Sequence, residues 1–280
     1  MNWKIVADSG CDFKYLEHLA EGGSYERVPL TIQVGDEIFV DSIDLDIDQM
    51  MDKMYATSTA SKSACPSPDD YLKAYQGAEN LFVVTITGTL SGSHNSAQVA
   101  KQLYLEGNPT ARVHVIDSLS AGGEVDLIVE KLAELLNQDL DFDQVVDQIT
   151  AYQKRTKLAF ALAKVDNLVK NGRLSKLLGT VVGLLNIRMV GEASPEGTLE
   201  LLQKARGHKK SVKATYEEMK KAGYAGGKVL IAHRHNDKFC QELEEFIKAD
   251  YAQASVRAIP TSGLCSFYAE ENGLLLGYEI

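Results

Sequence analysis

The sequence has 280 residues, of which 45% are hydrophobic, so it is long enough to form two domains with a sizeable core. Its formal net charge of −10 opposes binding to phosphate backbones and anionic bilayers, which would require a strong local basic patch. These quantities argue against a protein that binds nucleic acid or a membrane surface through charge.

The first residues run directly into an apolar, strand-like segment at 3–7, without the basic stretch, apolar core and small-residue cleavage site of an export signal. The longest apolar stretch, 177–190, is interrupted by Asn186 and Arg188 and is shorter than the roughly 20 residues of a spanning helix. We therefore predict a cytoplasmic protein with no transmembrane segment.

The cysteines are scattered without CxxC spacing, which favours the reduced thiols of a cytosolic protein; they are Cys11, Cys65, Cys240 and Cys265. His233 and His235 form an HxH pair that can place two imidazoles on one face of a strand, but no third ligand is evident. We predict neither a metal site nor a cofactor.

Short apolar runs alternate with amphipathic segments along the chain. The runs predict buried strands at 5–7, 81–86, 113–116, 158–163, 229–232 and 256–259. Apolar residues at three-to-four spacing predict surface helices at 93–105, 125–137, 142–154, 209–222 and 238–249. This alternation favours an α/β fold.

The second half of the sequence has a different pattern. Segments 184–190 and 198–203 flank the turn-rich segment 191–197, which predicts antiparallel strands joined by a loop. We place a domain boundary near 154–157, which gives an N-terminal α/β domain at 1–155 and a C-terminal α/β domain at 156–280 with a mixed or antiparallel sheet. Because no long linker is present, we expect the domains to pack closely.

A hydroxyl-rich turn at 87–93 follows the predicted strand at 81–86 and leads into a helix. Unpaired backbone N–H groups and the positive end of the helix dipole favour a carboxylate or phosphate there, and serine hydroxyls add donors. Alternatively, Ser91 or Ser93 simply caps the helix. The turn alone leaves both interpretations open.

A second polar turn, at 61–68, contains Pro66 and Pro68, which end regular structure. It can present Ser63 to the same pocket as the turn at 87–93. It can also be an ordinary proline-rich start of a helix near Pro68, and the segment alone does not separate the two.

Taken together, several short segments resemble those of the DegV family. Residues 8–12 (DSGCD), 28–32 (VPLTI), 63–67 (SACPS), 90–93 (LSGS) and 115–118 (VIDS) are similar to its DSxCD, VPLxI, TSQPS, LSGT and VIDS segments, and Asp41 falls where an Asp is expected. Residues 170–173 (KNGR), 185–188 (LNIR) and 204–206 (KAR) resemble its GGR, LxIKP and KxR segments. The segments follow the expected order and span essentially the whole chain.

The resemblance implies a two-domain α/β fold with a mostly parallel, helix-flanked N-terminal sheet. It also implies that one long-chain fatty acid, such as palmitate, is buried in a tunnel between the domains. Carried over to this chain, the carboxylate is held by Ser63 and Ser91, with Gly92 and Ser93 in the same turn.

The chain departs from the family pattern at several positions of the implied site. Ser63 replaces a threonine and keeps its hydroxyl, Cys65 replaces a glutamine, and His94 replaces an aromatic residue. The family's C-terminal histidine, which precedes a glycine-rich turn, has no match, and Thr261 or Ser262 is the expected substitute.

In the DegV family the bound fatty acid is presented to a separate kinase that phosphorylates its carboxyl group, so the resemblance implies such a partner. Arg173, Arg188 and Arg206 fall in the KNGR, LNIR and KAR segments and are expected to contact the partner or the phosphate. Arg206 also belongs to a basic cluster in an otherwise acidic chain; its other members are Lys204, His208, Lys209 and Lys210. The alternative interpretation of this cluster is a solvated helix start.

The main alternative function is a lipid or ester hydrolase with a serine nucleophile. Residues 88–92 (GTLSG) depart from GxSxG, and no histidine can be assigned as the base. The absence of GxxxxGK[ST] argues against a P-loop kinase. The sequence therefore favours a non-enzymatic binding protein, in which 181–187 is a candidate wall for the lipid tail or a part of the core.

Overall fold

The computed structural model of the protein describes residues 2–174 and 186–280. The first part of the chain forms β1 (Trp3–Asp8), β2 (Ser24–Val28), β3 (Thr31–Val34), β4 (Glu37–Val40), α1 (Ile47–Ala56), β5 (Lys62–Ala64), α2 (Pro68–Tyr75), β6 (Asn80–Thr85), α3 (Ser93–Gly107), β7 (Arg112–Asp117), α4 (Gly123–Leu136) and α5 (Phe142–Gln153). The remainder forms β8 (Thr156–Leu162), α6 (Asp166–Lys170), β9 (Ile187–Ala193), β10 (Leu199–Arg206), α7 (His208–Lys221), β11 (Val229–His233), α8 (Asp237–Asp250), β12 (Val256–Pro260), α9 (Gly263–Ala269) and β13 (Leu274–Glu279). Each predicted strand and helix is present, so the α/β assignment is confirmed.

The first sheet has the order β2-β1-β6-β7, and all of its pairs are parallel. Helices cover both of its faces, which explains why residues 81–84 of β6 are all apolar instead of alternating. Phe82 and Val84 pack in the cluster formed with α4 and α5, whereas Leu81 and Val83 pack in the cluster formed with α2 and α3.

A small antiparallel sheet, with the order β4-β3-β5, lies beside the first sheet. Its strands were not predicted, because each has only three or four residues. Ile32 and Phe39 face a cluster that contains Met50 of α1 and Phe267 of α9. The register of the sheet places Ser63 of β5 opposite Ile32, which fixes the position of the Ser63 side chain.

The third sheet is mixed, with the order β10-β9-β8-β13-β11-β12. Its pairs are antiparallel except for β11 with β12. The predicted antiparallel pair is confirmed as β9 and β10; residues 184 and 185 of that prediction, like most of the candidate wall 181–187, lie outside the described residues.

Helix α4 contacts both large sheets, because it touches β1 and β6 on one side and β11 and β13 on the other. A Cβ atom at Gly123 would lie 2.4 Å from the carbonyl oxygen of Leu230 and 2.6 Å from the amide nitrogen of Gly277. Only glycine allows this close approach of the helix to the sheet backbone.

The domain boundary near 154–157 stays a prediction, because a segment that follows it packs against elements that precede it. Helix α9 follows β12 in the chain but contacts α1 and β3. Over 2–174 and 186–280, no helix is both long enough and apolar enough to span a bilayer.

Candidate ligand-binding site

A cavity of about 270 Å³ lies where β5, the turn after β6, α6 and α9 meet. Both parts of the chain contribute to its apolar walls, which include Leu30, Ile86, Leu90 and Ala121 from the first part and Leu162, Leu168, Leu199, Leu264 and Leu275 from the second. Among the described residues, its polar lining comprises Ser63, Cys65, Thr87, Ser91, Arg173, Cys265 and Tyr268. The cavity is thus largely apolar, with a small set of polar side chains, as is typical of sites for amphipathic ligands.

The turn at 86–92 carries Ser91 to the cavity. The amides of Leu90 and Ser91 both donate to the carbonyl oxygen of Thr87, at 3.2 Å each, which closes the turn. The Ser91 hydroxyl oxygen accepts the amide of Ser93 at 3.2 Å. The two interpretations of Ser91 are therefore compatible, because its oxygen binds an N–H group at the start of α3 while its hydroxyl proton is left for a ligand.

The two predicted polar turns meet at this end of the cavity. A Cβ atom at Gly92 would lie 3.0 Å from the Cys65 sulfur, so the turn at 86–92 packs directly against the segment that follows Ser63. Gly92 is the N-cap residue of α3, provides no side-chain cap, and lines the cavity together with Ser63 and Ser91.

Tyr268 is a site residue that the sequence reasoning missed. It projects from α9 into the cavity, and its hydroxyl lies 2.8 Å from the hydroxyl of Ser63. The signal that could have found it is the family's missing histidine before a glycine-rich turn. Here Tyr268 precedes a turn in which Glu270 and Asn272 adopt the positive φ angles of 54° and 62° that glycine usually supplies.

The expected substitutes for the missing histidine lie elsewhere. Thr261 is buried, with its hydroxyl 2.8 Å from that of Ser266. The Ser262 hydroxyl donates to Asp12 at 2.9 Å. Neither residue lines the cavity, so the placement of Thr261 on the carboxylate is not supported by the geometry.

Ser93 also falls outside the cavity lining and has a structural environment. Its hydroxyl is fully buried, donates to the Asp8 carboxylate and lies 2.6 Å from the Tyr71 hydroxyl. Asp8 also accepts the amides of Gly10 and Ile86, at 3.0 Å each. Burial raises the pKa of the Asp8 carboxyl to about 6. Ser93 therefore fastens the start of α3 to the end of β1 rather than facing a ligand.

Buried carboxylates hold α9, and hence Tyr268, in place. Asp41 accepts the amides of Gly263 at 2.9 Å and Leu264 at 2.8 Å, which satisfies donors in the first turn of the helix. The Arg27 guanidinium lies 3.6 Å from Asp41 and balances its charge. A Cβ atom at Gly263 would lie 2.6 Å from the Asp41 carboxylate, so this contact requires glycine.

Of the three arginines predicted to contact a partner or phosphate, Arg173 lines the cavity. Its Nε atom donates to the carbonyl oxygen of Leu90 at 3.0 Å, and among the described residues it has no carboxylate within 4.0 Å. Arg188 instead donates to the carbonyl oxygen of Asn272 and lies over the ring of Phe239, where burial lowers its pKa.

Arg206 lies in a groove at the start of α7. The groove is lined by Arg206, Gly207, His208, Lys209, Lys210, Lys238 and Glu242. The only carboxylate of this set, Glu242, lies 3.2 Å from the Nε2 atom of His208. The structure thus gathers most of the predicted basic cluster on one surface, and it separates this surface from the lining of the cavity.

Metal-binding geometry is lacking in the parts of the chain that the structure covers, where no three His, Cys, Asp or Glu side chains could hold an ion. His233 accepts the amide of Asn236 at 3.1 Å. All four cysteines are free thiols, and Cys65 is the exposed one.

Comparison with known proteins places the chain in a family. A family model described as "Uncharacterised protein, DegV family" matches residues 2–278. The chain belongs to the DegV family. A DegV domain-containing protein of Streptococcus gordonii is 70% identical over 280 residues, which cover 100% of both chains.

Solved DegV structures closely match the fold. The Streptococcus pneumoniae Fatty Acid Kinase (Fak) B3 protein, crystallised with linoleic acid, is 68% identical, with a TM-score of 0.98 and 100% of both chains covered. A DegV family protein from Eubacterium eligens, loaded with heptadecanoic acid, is 39% identical, with a TM-score of 0.94 and 99% of both chains covered. The α/β architecture of this DegV chain, with its parallel sheet and its mixed sheet, is therefore that of proteins solved with fatty acids.

Proposed function

We propose that this protein binds one long-chain fatty acid, such as palmitate, in the cavity described above. The observation that carries the proposal is the grouping of Ser63, Ser91 and Arg173 on the lining of a largely apolar cavity. Hydroxyl and guanidinium donors match an ionised carboxylate, and the leucine-rich walls match an acyl chain.

The acyl chain supplies most of the affinity in this proposal. Burying about 14 methylenes at about 0.8 kcal/mol each gives roughly 11 kcal/mol before the costs of association are subtracted. The donors at the head orient the ligand, because a buried carboxylate without hydrogen-bond partners is strongly unfavourable. Uncharged lipids gain the same tail energy but satisfy these donors poorly.

Relatives support the same ligand class. The Streptococcus pneumoniae protein was solved with linoleic acid and the Eubacterium eligens protein with heptadecanoic acid. At 68% identity over the full length, the pneumococcal protein is close enough for its ligand class to be a reasonable starting point for this chain.

We further propose that the protein presents its fatty acid to a separate kinase, which forms an acyl phosphate. The name Fatty Acid Kinase B3, borne by the pneumococcal relative, supports this role. Arg173 beside the head group suits a developing phosphate, and the groove around Arg206 offers positive charge to an acidic partner surface.

The hydrolase alternative is not favoured by the geometry. A serine nucleophile needs a general base within hydrogen-bond reach, and no histidine is among the described residues that line the cavity. The nearest histidine in sequence to Ser91 is His94, whose Nδ1 atom lies 3.3 Å from the Thr85 hydroxyl.

Mass spectrometry of the ligand released from purified protein tests the proposed function. Protein made in a bacterial host is denatured and extracted, and we expect a long-chain fatty acid at near one equivalent. The delipidated protein should then bind palmitate on titration. An extract that contains only nucleotides or sugars, together with no palmitate binding, would contradict the proposal.

A further inference from the structure

We call the part of the cavity lined by Ser63, Ser91, Arg173 and Tyr268 its head. Two hydroxyl groups at the head of the cavity are paired with each other. The Ser63 and Tyr268 oxygens lie 2.8 Å apart, and within the described residues neither has another hydrogen-bond partner. Both side chains line the cavity, so each also faces the space that a ligand would occupy.

The chemistry of the two groups decides which one donates. A phenol is more acidic than an alcohol, so the better donor is Tyr268 and the better acceptor is Ser63. Burial raises the pKa of Tyr268 and keeps the phenol protonated at neutral pH, although Ser63 and Arg173 act in the opposite direction. Once Ser63 accepts this proton, its own hydroxyl proton is directed to a ligand.

Two other polar side chains of the described lining, Arg173 and Ser91, also present protons to a ligand. A guanidinium has no acceptor, and the Leu90 carbonyl beside it already accepts from Arg173. The Ser91 oxygen accepts the amide of Ser93, which leaves the Ser91 hydroxyl as a donor. The direction in which the Ser63 hydroxyl points its proton therefore depends on Tyr268.

We infer that Tyr268 is a specificity-determining residue that fixes Ser63 as a donor and so makes the head of the cavity selective for ligands that only accept hydrogen bonds. This inference rests on the proposed function and names the head group that the site selects. An ionised carboxylate accepts at both oxygens. A fatty alcohol or a primary fatty amide brings a donor of its own, which meets hydroxyl oxygens that already accept one hydrogen bond each and is therefore bound less favourably on burial.

Replacing Tyr268 by phenylalanine isolates the hydroxyl from the ring. The ring packs against three hydrophobic clusters at the junction of α9 with both parts of the chain, and phenylalanine preserves that packing. A matched control is Tyr104→Phe, because the buried Tyr104 hydroxyl donates to the Ala78 carbonyl at 2.8 Å and Tyr104 does not line the cavity.

The test measures dissociation constants of the delipidated full-length protein for palmitate, hexadecanol and hexadecanamide. In Tyr268→Phe we expect palmitate affinity to fall about tenfold while affinity for the alcohol and the amide stays within about twofold or improves, because the Ser63 oxygen becomes free to accept. Ser63→Ala and the double variant should bind palmitate within about twofold of each other, since Tyr268 acts through Ser63. Tyr104→Phe should leave all three constants unchanged.

Two results would overturn the inference while leaving the proposed function standing. One is an equal loss of affinity for all three ligands in Tyr268→Phe, which would show that the ring or the fold is affected. The other is unchanged palmitate binding in that variant. Failure of the wild-type protein to bind palmitate at all would instead overturn both the inference and the proposed function.

Discussion

The Nε atom of Arg173 donates to the carbonyl oxygen of Leu90 at 3.0 Å. This hydrogen bond joins the segment after α6 to the turn that carries Ser91, so one side chain both supports the turn and places positive charge at the cavity. We expect Arg173→Gln to weaken palmitate binding by about 1.5 to 3 kcal/mol, the usual value for a hydrogen bond to a charged group. Titration of delipidated protein measures this loss.

Arg112→Gln provides the matched control for the arginine. Arg112 pairs with Asp143 and lies over the Phe142 ring, and it does not line the cavity. If both glutamine variants bound palmitate as the wild-type protein does, Arg173 would have no role at the head group.

Ser63→Ala and Ser91→Ala should each weaken palmitate binding by about 1 to 3 kcal/mol, because each removes a donor to the carboxylate. Their free energies of unfolding without ligand should change less, since these hydroxyls are only partly buried. Calorimetric titration and denaturant unfolding on the same preparations separate the two effects. Normal binding by both variants would mean that the carboxylate lies elsewhere.

Ser93→Ala should show the opposite pattern. Its buried hydroxyl donates to Asp8 and does not line the cavity, so its removal leaves a buried carboxylate with one donor fewer. We expect the free energy of unfolding to fall by about 1 to 3 kcal/mol, with palmitate affinity near that of the wild-type protein. A loss of palmitate affinity without a fall in the free energy of unfolding would mean that Ser93 contacts the ligand.

Glu124 makes the stability of the protein depend on pH. Burial raises the pKa of this carboxyl from 4.5 to about 7 in the folded protein, despite the hydrogen bond from Thr156. The folded state therefore holds the proton more tightly, and the associated stability is fully present below about pH 4.5 and is lost as the pH rises through about 7. The total effect is about 3 kcal/mol.

Denaturant unfolding between pH 5 and 8 checks this expectation. Glu124→Gln keeps an acceptor for Thr156 and removes the titration, so its stability should fall less with rising pH than that of the wild-type protein. Because other buried carboxyls also have raised pKa values, some decline should persist in the variant. Parallel pH profiles for the two proteins would contradict the assignment to Glu124.

Arg206→Glu should leave palmitate binding nearly intact but slow phosphorylation of the bound lipid by a cognate kinase, because a repelling charge replaces a guanidinium in the groove at the start of α7. Arg206→Lys keeps the charge but loses the planar guanidinium that can make two parallel hydrogen bonds, so it should give an intermediate rate. Coupled phosphoryl-transfer assays at matched lipid occupancy measure the effect. Equal losses in binding and transfer would mean that Arg206 supports the fold.

The sequence was most informative where helices cover both faces of a strand. Residues 81–84 form an uninterrupted apolar run, and β6 lies there in the middle of a parallel sheet. The strands β2 to β5 escaped prediction because they are short and partly exposed, so they lack a long periodic signal. The position of β3 depends on tertiary contacts with α1 and α9, and that of β2 on contacts with α2.

The candidate site was predictable in part. Ser63, Ser91 and Gly92 lie in segments that local sequence marks as polar and irregular, and they meet at the cavity. Tyr268 was missed because a tyrosine within an apolar helix resembles a core residue, and the turn after it uses Glu270 and Asn272 where glycines are expected. The hydrogen bond from Ser93 to Asp8 could not be predicted, because side-chain direction at a helix start cannot be read from spacing.

The anchoring of α9 by Asp41 bears on how the protein forms during synthesis. Asp41 and the amides that it accepts are separated by 222 and 223 positions in the chain, and Ser63 and Tyr268 by 205. A ribosome releases the parallel sheet and the antiparallel sheet long before it releases α9. The head of the cavity therefore stays unfinished in the nascent chain until the last segment emerges and closes these very long loops, so a prematurely terminated chain would carry the serines without a pocket to hold them.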